Sequence, residues 1–232
     1  LINTASDLTS KITEAKTALT DASSINTNIS NHYDDMISEN SSTINSDIAS
    51  KVTAAKSCKT TYEQASKDRD SYKDQMNNIK DESSEEYKKI KSKYDLAVNS
   101  YETNYKEYKA NIGYIKDDVD TLTSSSTYTT YYAYANSKGF ATASLMKIKA
   151  DESFAKELIE GTYNINSDKS KSNILYVPVD LASTAKTTAS TTVTSLSESL
   201  DKAKTAAAGA KEAENSITEK ILDASKNNRR II

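Results

Sequence analysis

The chain of 232 residues holds four glycines, one proline, one cysteine, one histidine, two phenylalanines and no tryptophan. Each shortage excludes something. Turns are built largely from Gly and Pro, so a chain this poor in both has few turns and therefore few, long elements. A single cysteine, Cys58, excludes an internal disulfide; that suits a reducing compartment, or a secreted bacterial protein that does not rely on disulfides. The lone His32 has no second His or Cys with which to complete a zinc site. No run of about 18 apolar residues exists, so no membrane-spanning helix is expected. Charge of one sign is missing too: 30 basic and 33 acidic residues are mixed along the chain, for a net charge of -3. The basic footprint of a nucleic-acid binder is therefore absent. No GxGxxG, P-loop, HExxH or GxSxG pattern occurs. From these absences the chain is expected to be no enzyme, with no cofactor, no metal and no nucleic-acid partner.

What the chain does contain is a stripe of apolar side chains at steps of three and four residues, with no proline between Ala5 and Leu122. It runs Ala5, Leu8, Ile12, Ala15, Leu19, Ala22, then Ile29, Tyr33, Met36. After a polar gap it resumes from Ile44, Ile48 and Val52 to Ile115, Val119 and Leu122. Such spacing places the side chains on one face of a helix. Fifteen tyrosines separate the chain from disordered polar sequences, which are poor in aromatics.

Four regions follow. Helix A is expected over 3–37 and helix B over 42–122, together a long helical hairpin spanning 1–122. A small mixed α/β head is expected over 123–180, and a C-terminal helix C, packed on helix B, over 181–232. Short polar residues at Glu39-Asn40-Ser41-Ser42-Thr43 favour a turn or cap. The acidic segment Asp81-Glu82-Ser83-Ser84-Glu85-Glu86 interrupts the stripe of helix B, which would otherwise be about 120 Å long. It marks either a change of helical partner or a reversal of B itself. In the head, Ser126–Tyr134 is rich in strand-favouring Thr and Tyr, and Ile174–Val179 reads as a short edge strand. A short helix is expected from Ala141 to Glu160, ended by Gly161. Helix C is expected to start after Pro178 with Asp180 as its cap, and Lys226, Arg229 and Arg230 complement its dipole. The fold class is thus mainly α: a long antiparallel coiled-coil rod or bundle with a small α/β insert.

Candidate sites are read against their plainest explanation. His32 and Cys58 read as helix residues, since neither has a partner for metal or nucleophile chemistry. Asn164-x-Asn166-x-Asp168-x-Ser170 alternates oxygen-bearing side chains like a calcium loop. It lacks the glycine at loop position six and has Leu175 where the loop needs Glu. Asp117, Asp118 and Asp120 read as a solvated helix end. Asn28-Ile29-Ser30 and Asn40-Ser41-Ser42 match the short glycosylation pattern, which is frequent by chance in such a chain.

Two features point to a packing or assembly face. Tyr94, Tyr101, Tyr105 and Tyr108, with Ile112, form a tyrosine-rich seam suited to a thin helical interface, because Tyr buries its ring and keeps its hydroxyl wet. Ala203, Ala207 and Ala210 form a small-residue face that lets another backbone approach. A helical assembly this rich in Ala buries little apolar area per residue, and burial between chains would compensate.

The expected function is that of a structural or interaction protein: an elongated rod that assembles with itself, as an oligomer or filament, or docks another helical protein. A secreted or extracellular location is expected, and the start at Leu1 suggests a processed product or a trimmed chain. The layout of long coil, mixed insert and long coil is similar to that of needle-tip proteins and α-helical pore-forming toxins. That resemblance implies an alternative, a secreted effector or helical toxin whose 123–180 head contacts a host membrane or protein. The missing long apolar segment weighs against pore formation.

Overall fold

A computed structural model describes residues 2–228. The protein is mainly α, about 84% helical, and no strand occurs among the described residues. The helices are α1 (Ile2–Glu39), α2 (Ala49–Asn77), α3 (Glu85–Ser124), α4 (Ser126–Ser137), α5 (Glu152–Glu160) and α6 (Val177–Asn228). A π-helical stretch covers Thr43–Ile48 and a short 3-10 turn covers Leu145–Lys147. The chain divides into two compact units. One joins Leu1–Thr27 with Ala182–Ile232, and the other is Asn28–Leu181.

In the second unit, the expected turn at Glu39–Thr43 gives way to continued helical backbone. The Asn40 amide donates to Met36 O and the Ile44 amide to Asn40 O, at 3.0 and 2.9 Å. The π stretch that follows has a reason in the stripe. Met36, Asn40, Ile44, Ile48 and Val52 are four residues apart, and such steps drift around an α-helix. A π turn holds more residues and keeps them in line. Ile44 and Ile48 are accordingly buried. Asn40 is buried as well, its Nδ2 donating to Met36 O at 2.9 Å and reaching Ser125 Oγ and Thr127 Oγ1 at 3.1 and 3.3 Å.

Helix B is two helices. Between α2 and α3 the chain reverses at 78–84, and the two helices pack along each other. The acidic segment builds this reversal. Asp81 Oδ1 accepts from the Ser83 amide at 2.9 Å and its hydroxyl at 2.6 Å. Ser84 then caps α3, its hydroxyl accepting from the Tyr87 amide at 3.2 Å. Glu85 and Glu86 occupy the first turn, where the helix dipole favours negative charge. α5 packs against both α2 and α3 and buries Phe154, Ala155, Leu158 and Ile159.

The mixed head is not formed. Ser126–Tyr134 belongs to helix α4, not to a strand. Ser125 ends α3 and caps α4, accepting from the Tyr128 amide at 3.2 Å. Tyr128, Tyr131 and Ala135, at steps of three and four, are the buried face. Periodic burial and the cap outweigh the strand propensity of Thr and Tyr. The helix expected from Ala141 starts only at Glu152, capped by Asp151, whose Oδ1 accepts from the Phe154 amide at 2.7 Å. It ends as expected at Gly161, left-handed at φ 80°. Bonds of the Schellman type close it, from Gly161 N to Leu158 O and from Thr162 N to Glu157 O.

Ile174–Val179 is not a strand either; the only β-type pairing in the region is an isolated bridge between Asn164 and Asn173. α6 begins at Val177, so Pro178 lies in its first turn, where a missing N–H costs nothing. Asp180 sits inside that turn, ahead of no cap role, and pairs with Lys171 at 3.4 Å. Arg229 and Arg230 lie outside the described residues.

Asn173 holds the loop before α6. It is fully buried. Its Oδ1 accepts from the amides of Asn166 and Leu175 at 3.4 and 3.2 Å. Its Nδ2 donates to Tyr33 Oη and Asp168 O at 3.0 and 2.8 Å. Tyr33 Oη in turn donates to Asp168 O at 2.8 Å, and Tyr131 Oη donates to Leu175 O. Burial, above all, pushes both phenols well above their ordinary pKa. The rings of Tyr131 and Tyr176 meet that of Tyr33 edge-on, at 6.0 and 5.2 Å. One polar cluster thus ties α1, α4 and the loop together.

In the first unit the stripes of α1 and α6 face inward. Ile12 and Ala182 are buried, and Leu8, Leu19, Val193, Leu196 and Leu200 are half-buried. The outer surface is rich in Thr, and hydroxyls such as those of Thr9, Thr13, Thr187 and Thr191 donate to the carbonyl four residues earlier.

Ile112 is 4% exposed, whereas Lys91 lies on the surface, paired with Asp95 at 2.7 Å. Ile112→Asp is expected to cost about 3–5 kcal/mol, as an unpaired buried carboxylate does. Lys91→Asp, on the exposed face, is expected to leave the unfolding midpoint nearly unchanged. Urea unfolding followed by circular dichroism measures both; equal midpoints would show that the stripe is not a packing face.

Candidate interaction surfaces

The tyrosine seam lies in the second unit, where α2 and α3 pack. Tyr62 of α2 is its centre, with ring centroids 6.0, 5.3 and 5.4 Å from those of Tyr101, Tyr105 and Tyr108. Tyr101 and Tyr105 stack at 5.7 Å. Cations cover the outer rings: Arg69 lies over Tyr101 at 5.1 Å and Lys109 over Tyr105 at 4.9 Å. Burial, with the neighbouring Tyr108 next, raises the Tyr62 phenol above its ordinary pKa. Tyr108 and Ile112 are buried, Tyr94 and Tyr101 half-buried, and Tyr105 is 37% exposed. The seam is therefore mostly filled by the chain's own helices. A shallow groove beside it is lined by Gln64, Asp68, Tyr72, Lys93 and the exposed Leu96.

Ala203, Ala207 and Ala210 belong to the other unit, so the structure does not gather the two sets of expected face residues into one site. Along α6 the apolar positions alternate strictly by three and four: Val193, Leu196, Leu200, Ala203, Ala207, Ala210, then Glu214, Ile217, Ile221 and Ala224. That is a heptad seam, the pattern of paired helices. Burial along it stops abruptly. Ala203 and Ala207 are half-buried, and every residue from Ala208 to Lys226 is exposed. Ile217, Ile221 and Leu222 are 59%, 64% and 53% exposed. Ile217 and Ile221 were legible as stripe residues, but their exposure was not, because periodicity marks a face without saying what covers it.

The other candidates are local. His32 is half-buried, edge-on to Tyr134 at 5.0 Å, and Cys58 is a half-buried free thiol. In the 164–170 segment the side-chain oxygens turn back on the chain. Asn166 Oδ1 accepts from the Asp168 amide at 3.1 Å, and Asp168 Oδ1 from the Ser170 amide at 3.2 Å and its hydroxyl at 2.6 Å. Among the described residues no three His, Cys, Asp or Glu side chains come together as a metal set, and no helix is long and apolar enough to cross a membrane. Asn173, which orders the loop, carried no sequence signal at all.

The chain matches no family model, no curated protein and no solved structure.

Asp118 is the one member of the acidic trio with a marked environment. Its Oδ2 is buried without a hydrogen-bond partner. Burial, then the carboxylate of Asp47, raises its pKa above the ordinary carboxylate value, with Lys51 acting in the other direction. A carboxyl whose folded pKa is raised favours the fold when protonated and opposes it when ionised. Asp118→Asn is therefore expected to raise stability at neutral pH, with the gain shrinking as pH falls through the raised pKa. Thermal melts of both proteins from pH 7 to pH 3 measure this; a gain that is the same at every pH, or a loss at pH 7, contradicts it.

Proposed function

We propose that the protein works by helix–helix docking, as a non-enzymatic structural or interaction protein that associates with copies of itself or with another helical protein. The observation that carries this reading is the heptad seam of α6, unbroken from Val193 to Ala224. Single apolar residues on a surface are ordinary. Ile217 and Ile221, both on that seam, are exposed large side chains of the kind a helical partner covers. Burying an Ile side chain is worth roughly 1.5–3 kcal/mol, so covering them supplies real driving force. A coiled-coil rod or filament is the assembly this surface suits.

Action outside the cytoplasm belongs to the same proposal, supported by the Ser/Thr/Asn-rich surface. The rival effector or toxin reading relied on a mixed head at 123–180. That region is helical and irregular, and no feature of it favours a membrane or host contact over the α6 seam.

Sedimentation velocity over a wide concentration range tests self-association. The mean mass is expected to rise above 25.4 kDa. The double variant Ile217→Lys, Ile221→Lys should remain at monomer mass with unchanged helix content. A monomer at every concentration, identical in both proteins, would contradict self-association.

A further inference from the structure

We infer that the stacked phenols of Tyr101 and Tyr105 are an oxidative modification site, where hydrogen peroxide acting through a haem peroxidase joins the two rings as dityrosine. This goes beyond the docking reading and does not rest on it. Four phenols meet in the seam, with the ring of Tyr62 lying 6.0, 5.3 and 5.4 Å from those of Tyr101, Tyr105 and Tyr108. One pair among them has the geometry that coupling needs. Tyr101 and Tyr105 stand one turn apart on α3, with ring centroids 5.7 Å apart and planes only 10° from parallel. Rings so aligned can slide edge to edge until their ortho carbons meet. Tyr62 instead meets Tyr101 and Tyr105 at 89° and 79°, with the edge of one ring turned to the face of the other.

Access selects the same pair. Tyr105 is 37% exposed, Tyr101 is half-buried and Tyr108 is buried, so an external oxidant meets the cluster at Tyr105. The rings of Tyr128 and Tyr132 also stack, but their centroids are 6.3 Å apart and Tyr128 is buried. Tyr114 is well exposed, yet its ring faces Lys51. Tyr105 first gives one electron and its phenolic proton to the peroxidase. Tyr101 then passes an electron and a proton to Tyr105, which leaves the radical on Tyr101 and Tyr105 open to a second oxidation. The two phenoxyl radicals pair their electrons in a bond between ortho carbons. Each ortho hydrogen moves to its own ring oxygen, and both phenols are restored. Two electrons and two protons have left the protein, and they reduce one hydrogen peroxide to two waters. Holding the partners side by side favours this coupling over one between copies.

Peptide mapping after treatment with a haem peroxidase and hydrogen peroxide tests the site. A glutamate-specific protease cuts after Glu102, between the two tyrosines, and after Glu107. Residues 87–102 and 103–107 are expected to be recovered joined, short of two hydrogens, with the blue fluorescence of dityrosine. Tyr101→Phe and Tyr105→Phe should each lose the joined peptide at unchanged helix content, whereas Tyr114→Phe should keep it. In urea the joined peptide should fall several-fold, because the pairing depends on the fold. Coupling of Tyr105 mainly to Tyr62 or to another copy would overturn the inference. So would an equal yield in urea, or no dityrosine at all in the folded protein.

Discussion

Asn173 uses both of its amide donors and its carbonyl oxygen within the second unit, and the order of the loop before α6 depends on it. Its side chain bonds two loop amides, one loop carbonyl and the hydroxyl of Tyr33. The segment from Gly161 to Tyr176 has no ladder of its own beyond one isolated bridge. A buried loop without backbone partners is costly, so a side chain has to stand in for the missing strand. Asn is suited to this because it offers donors and acceptors together. By fixing the loop against α1 and α4, the cluster fixes where the chain enters α6.

The long elements were legible because their signal is local. Steps of three and four predict α1, α2, α3 and α6, and the acidic segment marks the reversal since Asp81, Ser84 and the two glutamates all serve helix ends. Two segments depart from local expectation. In α4 the steps joining Tyr128, Tyr131 and Ala135, with the Ser125 cap, outweigh strand propensity. Pro178 sits in the first turn of α6, which has no use for its missing N–H. The contacts of Asn173 and Asn40 were not legible at all. Their partners Tyr33 and Ser125 lie 140 and 85 residues away in sequence, and no periodicity points to them.

The two units carry different parts of the candidate surface. In the second, the tyrosine seam is consumed by packing between α2 and α3, and its cation-covered rings are an internal finish to a thin interface. In the first, the heptad seam of α6 runs unbroken from Val193 to Ala224. That long helical face is the most direct link between fold and proposed function. It connects the scarcity of turn residues, which makes the helices long, to the proposal that the protein acts by docking helices.

The claim that a single buried amide organises the loop before α6 is tested most directly by hydrogen exchange at the two backbone amides bonded to Asn173. The amides of Asn166 and Leu175 lie outside regular helix, yet they should be protected to a degree approaching that of the buried helices. In Asn173→Ala both should exchange rapidly while amides in the middle of α3 keep their protection. Fast exchange of both amides in the unaltered protein, or unchanged protection after Asn173→Ala, would contradict the account.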